Sequence, residues 1–314
     1  MQIFNRIVIL EKINFRYLQG LDFSSKPSWF RKGREFMSDQ HELMQAVLSR
    51  YSLRSFDPNP LDENSLDHIE KMVQTTEPLL PINSMGILLV RHLSNKERSA
   101  VMGMINPHIQ PPHILITWIT GGEHPYTDLG FRMEQAAVQL HSMRIGSCFI
   151  GTLGREHSLN NQYNLPPQSV TGAILALGKS AVPDAVNKPK KRMALEKIAF
   201  LNDFSTPRTE PNVLAPILEA ARMAPSATNA QPWRLLWKKP YLFVFVTSKK
   251  LANILSPEYK KYCLYDGGIC MANISMALKA HDLPAQWEIL DSSSPMLPEH
   301  PQEFIPLGKI KIDL

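Results

Sequence analysis

The sequence predicts an α+β chain: helices flank one central mixed sheet, and two pseudo-symmetric halves share the chain. Three observations carry this expectation. From residue 40 onward, apolar residues three and four apart alternate with short runs rich in β-branched residues. Polar loops separate these segments, as in a layered fold with helices on both faces of a sheet. One segment also recurs: Asp128-Leu129-Gly130-Phe131-Arg132-Met133 returns 138 positions later as Asp266-Gly267-Gly268-Ile269-Cys270-Met271.

The elements follow in order. His41 to Arg50 reads as a short helix. Leu61 to Val73 is a second, with Leu66, Ile69, Met72 and Val73 on one face. Ile87 to Val90 and Ile114 to Ile119 read as strands. Leu129 to Ile145 is a longer helix, with Gly146 as its expected C-cap. Val170 to Leu177 is a strand, Val213 to Ala224 a helix and Tyr241 to Val246 a buried strand. Cys270 to Ala280 lies in a helix, and Ala285 to Leu290 is the last strand.

The repeat extends beyond its first six residues. Its register continues through Leu140 and Leu278, Ile145 and Leu283, and Phe149 and Trp287. In the preceding helices Leu66 and Ile69 match Leu214 and Ile217 at an offset of 148, so the linking segments differ in length. Similar halves can pack about a pseudo-twofold axis, as subunits of a symmetric dimer do. The expected organisation is an extension over 1–36, a first half over 37–200 and a second over 201–314.

The bulk composition of 44% hydrophobic and 20% charged residues is that of an ordinary globular protein. The longest apolar runs are far shorter than the roughly 20 residues a membrane span needs. The net charge of +5 is concentrated at the start, where Arg6, Lys12, Arg16, Lys26, Arg31, Lys32 and Arg34 face Glu11, Asp22 and Glu35. The body carries no clustered basic face, which argues against nucleic acid. Residues 1–36 lack the apolar core and cleavage site of a signal peptide. Cys148, Cys263 and Cys270 have no metal-ligand spacing and read as small core residues. A cytoplasmic protein with a small-molecule partner, and neither nucleic acid nor membrane, is the expectation.

Two stretches carry chemistry. The first is Ala220 to Trp233, an apolar helix stopped by Pro225 and followed by the small polar run Ser226-Ala227-Thr228-Asn229-Ala230-Gln231. Small side chains let backbone N–H groups approach a ligand, and the two amides suit a heteroaromatic ring. The alternative is a plain helix-to-strand turn, which Pro and Asn make by themselves. The second is Arg50-Tyr51-Ser52-Leu53-Arg54-Ser55-Phe56. If extended, it points Arg50, Ser52 and Arg54 the same way, as a phosphate site would require. A solvated basic strand is the alternative.

The run from Ala224 to Trp233 resembles the Ala-Pro-Ser-x-x-Asn-x-Gln-Pro-Trp signature of the FMN-dependent nitroreductase family, meeting seven fixed positions. Arg50 to Phe56 resembles the Arg-x-Ser-x-Arg/Lys-x-Phe stretch that opens those domains. Gly146-Ser147-Cys148-Phe149-Ile150-Gly151-Thr152 is similar to the family's Gly-x-Cys-x-x-Gly stretch, and Lys190-Lys191-Arg192 to its late phosphate-binding pair. The resemblance spans about residues 41 to 290, in the manner of fused two-half nitroreductases.

The resemblance implies a nitroreductase-like fold and an NAD(P)H oxidoreductase working by ping-pong hydride transfer through flavin N5. Arg50 and Ser52 would hold the FMN phosphate and ribityl chain. Arg54 would sit by the pyrimidine edge as electrostatic support, with no side chain acting directly. Gly151 and Thr152 would offer backbone N–H groups to the flavin, and Lys190 and Arg192 would bind phosphate. Pro225, Ser226, Ala227 and Asn229 would form the other wall, and Asn106 is a candidate for the pyrimidine. Each half keeps one piece of the site, so the implied product is one FMN site in a pseudo-dimeric monomer. The acceptor (nitroaromatic, quinone or similar) stays open, as does NADH against NADPH. So do the dehydrogenation of peptide heterocycles, flavin fragmentation, and a flavin-binding or flavin-free remnant acting as an interaction module.

Overall fold

The computed structural model describes residues 40–103, 107–182, 191–207, 214–247 and 260–313. Residues 40–314 form a compact unit. Residues 1–36, Asn106 and Lys190 lie outside the described residues. In chain order the elements are α1 (40–49), α2 (Glu63–Gln74), β1 (Met85–Val90), α3 (Asn95–Met102), β2 (His113–Thr120), α4 (Pro125–Ser142), β3 (Gly146–Gly151), α5 (Glu156–Gln162), β4 (Ser169–Val170) and β5 (Ala173–Gly178). They continue with β6 (Ala199–Leu201), α6 (Ala215–Met223), β7 (Trp233–Lys238), β8 (Tyr241–Thr247), α7 (Lys260–Lys279), β9 (Trp287–Ile289) and β10 (Phe304–Lys311).

The fold is α+β, but the single central sheet is replaced by two five-stranded sheets. The first runs β1-β2-β5-β3, with β4 beside β2, and is antiparallel throughout. The second runs β6-β7-β8-β10-β9, and only β6 joins it in parallel. Setting β4 and β6 aside, the two sheets follow the same course. In each, two adjacent antiparallel strands precede a long helix, and the last strand inserts between the second and third. The expected half boundary at residue 200 falls inside β6.

The expected strand from Val170 to Leu177 is broken at Gly172, whose φ of +63° turns the chain between β4 and β5. The expected helix from Cys270 is longer and begins at least at Lys260. Its earlier turns hide their period because they are buried all round, which erases the apolar stripe. The last expected strand shrinks to β9, and β10 carries no alternating signal because it is buried on both faces from Pro306 to Ile310.

Two-sided burial explains the continuous apolar runs. On β5, Leu175 and Leu177 face the main core while Ile174 and Ala176 face an outer cluster. On β8, Leu242, Val244 and Val246 face the main core while Phe243 and Phe245 face outward into an aromatic cluster with Phe204. The main core runs through both sheets' inner faces and the helices. Cys148, Cys263 and Cys270 are free and buried.

Helices α4 and α7 cross at the centre, and the crossing is reciprocal. A methyl group at Gly130 would overlap the Tyr265 carbonyl, with Ile269 N next. A methyl group at Gly268 would overlap the Thr127 carbonyl, with Phe131 N next. Each contact maps onto the other at the repeat offset of 138. The two helices also end alike. Ile145 N–H donates to Leu140 O at 2.9 Å, and Leu283 N–H donates to Leu278 O at 2.9 Å. In both cases the residue before is left-handed, Arg144 at φ 60° and Asp282 at φ 58°. This is a Schellman-type stop, and it corrects the expectation for Gly146, which instead begins β3.

Bare backbone contact at the crossing predicts its sensitivity. Gly130→Ala or Gly268→Ala should destabilise the protein by at least about 1–3 kcal/mol, the usual cost of overpacking. Chemical denaturation measures this, and an unchanged midpoint for both variants would show that the helices can separate without loss.

Candidate active site

Helix α6 stops where Pro225 cannot continue it. The loop that follows is held open by unusual backbone: Thr228, Asn229 and Gln231 have φ of 51°, 58° and 49°. Left-handed non-glycine residues cost energy and cluster where the surroundings fix them for function. Here they are fixed by side chains. Gln231 N–H donates to Ser226 Oγ at 2.9 Å, and Met193 N–H donates to Gln231 Oε1 at 2.7 Å. Asn229 Nδ2 donates to Lys191 O at 2.9 Å, and Arg192 Nη1 donates to Asn229 Oδ1 at 2.9 Å. Arg192 Nη2 donates to Met223 O at 3.1 Å. Pro225 is buried, Ser226 and Ala227 are half-buried, and Asn229 is exposed.

Arg50 follows α1 and is buried at 2% exposure. Its Nε donates to Glu134 Oε1 at 3.0 Å, and Glu134, on α4, is completely buried. Ser52 bridges to Ser147 in parallel and Leu53 N–H donates to Ser147 O, so the Arg50–Arg54 stretch adds to the edge of β3. Ser52 is half-buried and Arg54 exposed. Cys148 feels the charges of both Arg54 and Arg50, which oppose the upward push of burial on its thiol.

Two guanidinium groups from different parts of the chain therefore meet. Burial first, and then the neighbouring Arg50 charge, push the Arg192 guanidinium down to about 10, while Glu134 pulls the other way. Arg50 Nη1 and Arg192 Nε are both buried and have no hydrogen-bond partner among the described residues. Two buried, unpaired cationic donors side by side fit an anion, above all a phosphate.

Gly151 and Thr152 stand elsewhere, at the far end of β3. The Thr152 N–H, which the resemblance directs to a flavin, donates to Gly172 O at 3.0 Å, and its hydroxyl meets Thr171 Oγ1 at 3.0 Å. A side chain at Gly151 would overlap the Tyr262 hydroxyl, which accepts from Leu153 N–H at 3.1 Å. The turn is closed by α7 and does not present a free N–H at Thr152.

A scan of family models matches residues 42–260 to the family described as "Putative TM nitroreductase". The chain belongs to this nitroreductase family. A putative nitroreductase from Thermotoga maritima shares its fold at a TM-score of 0.51 and 18% identity, covering 80% of this chain and 90% of that one. A nitroreductase with bound FMN from Desulfitobacterium hafniense superposes at 0.39 with 16% identity, over 48% of this chain and 94% of that one. An FMN-dependent nitroreductase from Clostridium difficile superposes at 0.40 with 14% identity, over 46% of this chain and 91% of that one. Curated proteins give no match. No helix among the described residues is long and apolar enough to cross a membrane.

In the sequence Asp266 stands out only as part of the repeat. In the structure its carboxylate holds the signature loop, accepting Ala227 N–H at 3.1 Å on each oxygen. Asp128 takes the same place in the first half and accepts Leu79 N–H at 2.8 Å. Leu79 and Ala227 are related by the 148 offset. The two carboxylates differ in company. Arg132 Nε donates to Asp128 at 3.2 Å and Asn83 Nδ2 at 2.9 Å, whereas Cys270 replaces the arginine beside Asp266. Glu134 was missed too, because a lone glutamate within an apolar helix carries no motif.

Burial pushes the Asp266 carboxyl up to about 8 from its ordinary 3.8, against the pull of the Ala227 N–H. The unfolded chain releases this proton near pH 4 and the folded chain only near pH 8. Between those limits the folded state binds more protons, so this group's contribution to stability falls as pH rises and levels off above pH 8. Asp266→Asn removes that dependence while keeping an acceptor for Ala227. Its Tm should gain on wild type progressively from pH 5 to pH 8. Parallel Tm curves over that range would mean that Asp266 is ionised in the folded protein.

Proposed function

We propose that this chain is an FMN-dependent NAD(P)H oxidoreductase with one flavin site, assembled within the chain from two duplicated halves. The observation that carries the reading is the pair of unpaired buried donors, Arg50 Nη1 and Arg192 Nε, beside the loop that bears the family signature. Arg50 and Arg192 would bind the phosphate, with Lys190 as a further ligand and Ser52 on the ribityl chain. Arg54 would stand at the pyrimidine edge. Pro225, Ser226, Ala227 and Asn229 would form the opposite wall. When bound, FMN supplies ping-pong hydride transfer between NAD(P)H and a nitroaromatic, quinone or similar acceptor.

The duplication is supported by the matching strand order, the reciprocal glycine contact and the paired Asp128 and Asp266 clamps. The loop of the first half argues against a second flavin. Arg132 Nη2 donates to Asn83 O at 2.8 Å and Gln135 Nε2 to Glu77 O at 2.9 Å, so its polar groups are spent on one another.

Purified protein should therefore be yellow, carry one FMN per chain, and keep it as a monomer. Absorbance after denaturation combined with light scattering decides this. Two flavins per chain, none after reconstitution, or flavin lost in step with dissociation of a dimer would each overturn the intrachain site.

Arg54 is exposed, and the reading sets its charge where reduction places negative charge on the ring. Arg54→Gln should lower the midpoint potential of the bound flavin while most of the affinity remains. A potential equal to wild type would remove Arg54 from the site.

A further inference from the structure

Resting on the phosphate reading above, we infer that Glu134 is a positioning residue: its bond to Arg50 Nε aims the remaining guanidinium N–H groups at the anion. Glu134 has no exposed surface and reaches Arg50 Nε at 3.0 Å from the middle of α4, the helix that makes the central crossing. A buried acid beside a phosphate site is otherwise unfavourable, since it repels the ligand. Orientation gives it a use there. Arg50 lies just after α1, on a stretch joined to β3 only at Ser52 and Leu53. A guanidinium is a rigid plane, so fixing Nε fixes the direction of both Nη groups. With Nε taken, Nη1 remains buried and unpaired next to Arg192, whose own Nη groups are taken by Asn229 and Met223 and whose Nε is left over.

The same geometry makes Glu134 a moderator of charge. Arg50 and Arg192 repel one another, and Glu134 attracts both. Before any anion arrives, the acid lets buried Arg50 and half-buried Arg192 stand together. In the second half the position 138 residues on is Ala272, which carries no acid.

The test compares FMN with riboflavin, which lacks the phosphate, on the full-length protein. Glu134→Ala should weaken FMN at least tenfold while riboflavin affinity changes less than twofold. Glu134→Gln keeps an oxygen acceptor for Arg50 Nε and removes the repelling charge, so FMN should bind as well as to wild type or several-fold tighter. Equal loss of FMN and riboflavin in Glu134→Ala would mean a general structural role and overturn the inference. So would a tenfold loss of FMN in Glu134→Gln, which decides alone if the alanine variant does not fold. If wild type binds neither flavin, the flavin reading fails by itself. Glu134 is then tested with inorganic phosphate: the Tm gain that phosphate gives wild type should vanish in Glu134→Ala and persist in Glu134→Gln, and any other pattern rejects it.

Discussion

The close crossing of α4 and α7 is the constraint on which the rest depends. Gly130 and Gly268 let each helix rest on the other's backbone carbonyls. The crossing sets the half in which Asp266 holds its loop against the half in which Glu134 holds Arg50. The crossing also joins two sheets into one core, because α4 lies on β2 and β3 while α7 lies on β7 and β8. The contact has the form of an isologous interface, in which residue pairs repeat with their roles exchanged.

Within that near-symmetric frame the two loops are held differently. In the first half, Arg132 stands beside the buried carboxylate of Asp128, and the loop it holds is closed on itself. In the second half, Cys270 takes the place of that arginine beside Asp266, and the loop stays open, stretched over three left-handed residues. Arg50 with Glu134 and Arg192 with Asn229 then supply charge that the open loop lacks. The arrangement places polar cost where a ligand would repay it and satisfies the corresponding groups elsewhere.

Much of the fold was legible in residue patterns. Helix α2, with its one-sided stripe of Leu66, Ile69, Met72 and Val73, matched within two residues, and Asp62 caps it as its type allows. The strands β1 and β2 were read from β-branched runs, and β8 from a short continuous apolar run. Two elements buried all round were not, because polar and small residues sit among their buried positions and no stripe shows: Asp266, Asn273 and Ser275 in α7, Pro306, Gly308 and Lys309 in β10. That is why α7 was cut short and β10 missed. The candidate site divided in the same way. Arg50, Arg192 and the Pro225–Asn229 loop stand in a motif and meet in space. Thr152 stands in a motif too, yet its N–H is committed to Gly172.

The sequence by itself determined the alternation of elements, the repeat, the family signatures and the residues capable of holding an anion, because these depend on local spacing and side-chain type. Tertiary structure alone decided that there are two sheets, that Glu134 orients Arg50, and that Asp266 clamps the loop as an almost isolated buried carboxyl. Those outcomes depend on which groups share a dry interior. Burial is set by residues more than a hundred positions away, where no local pattern reaches.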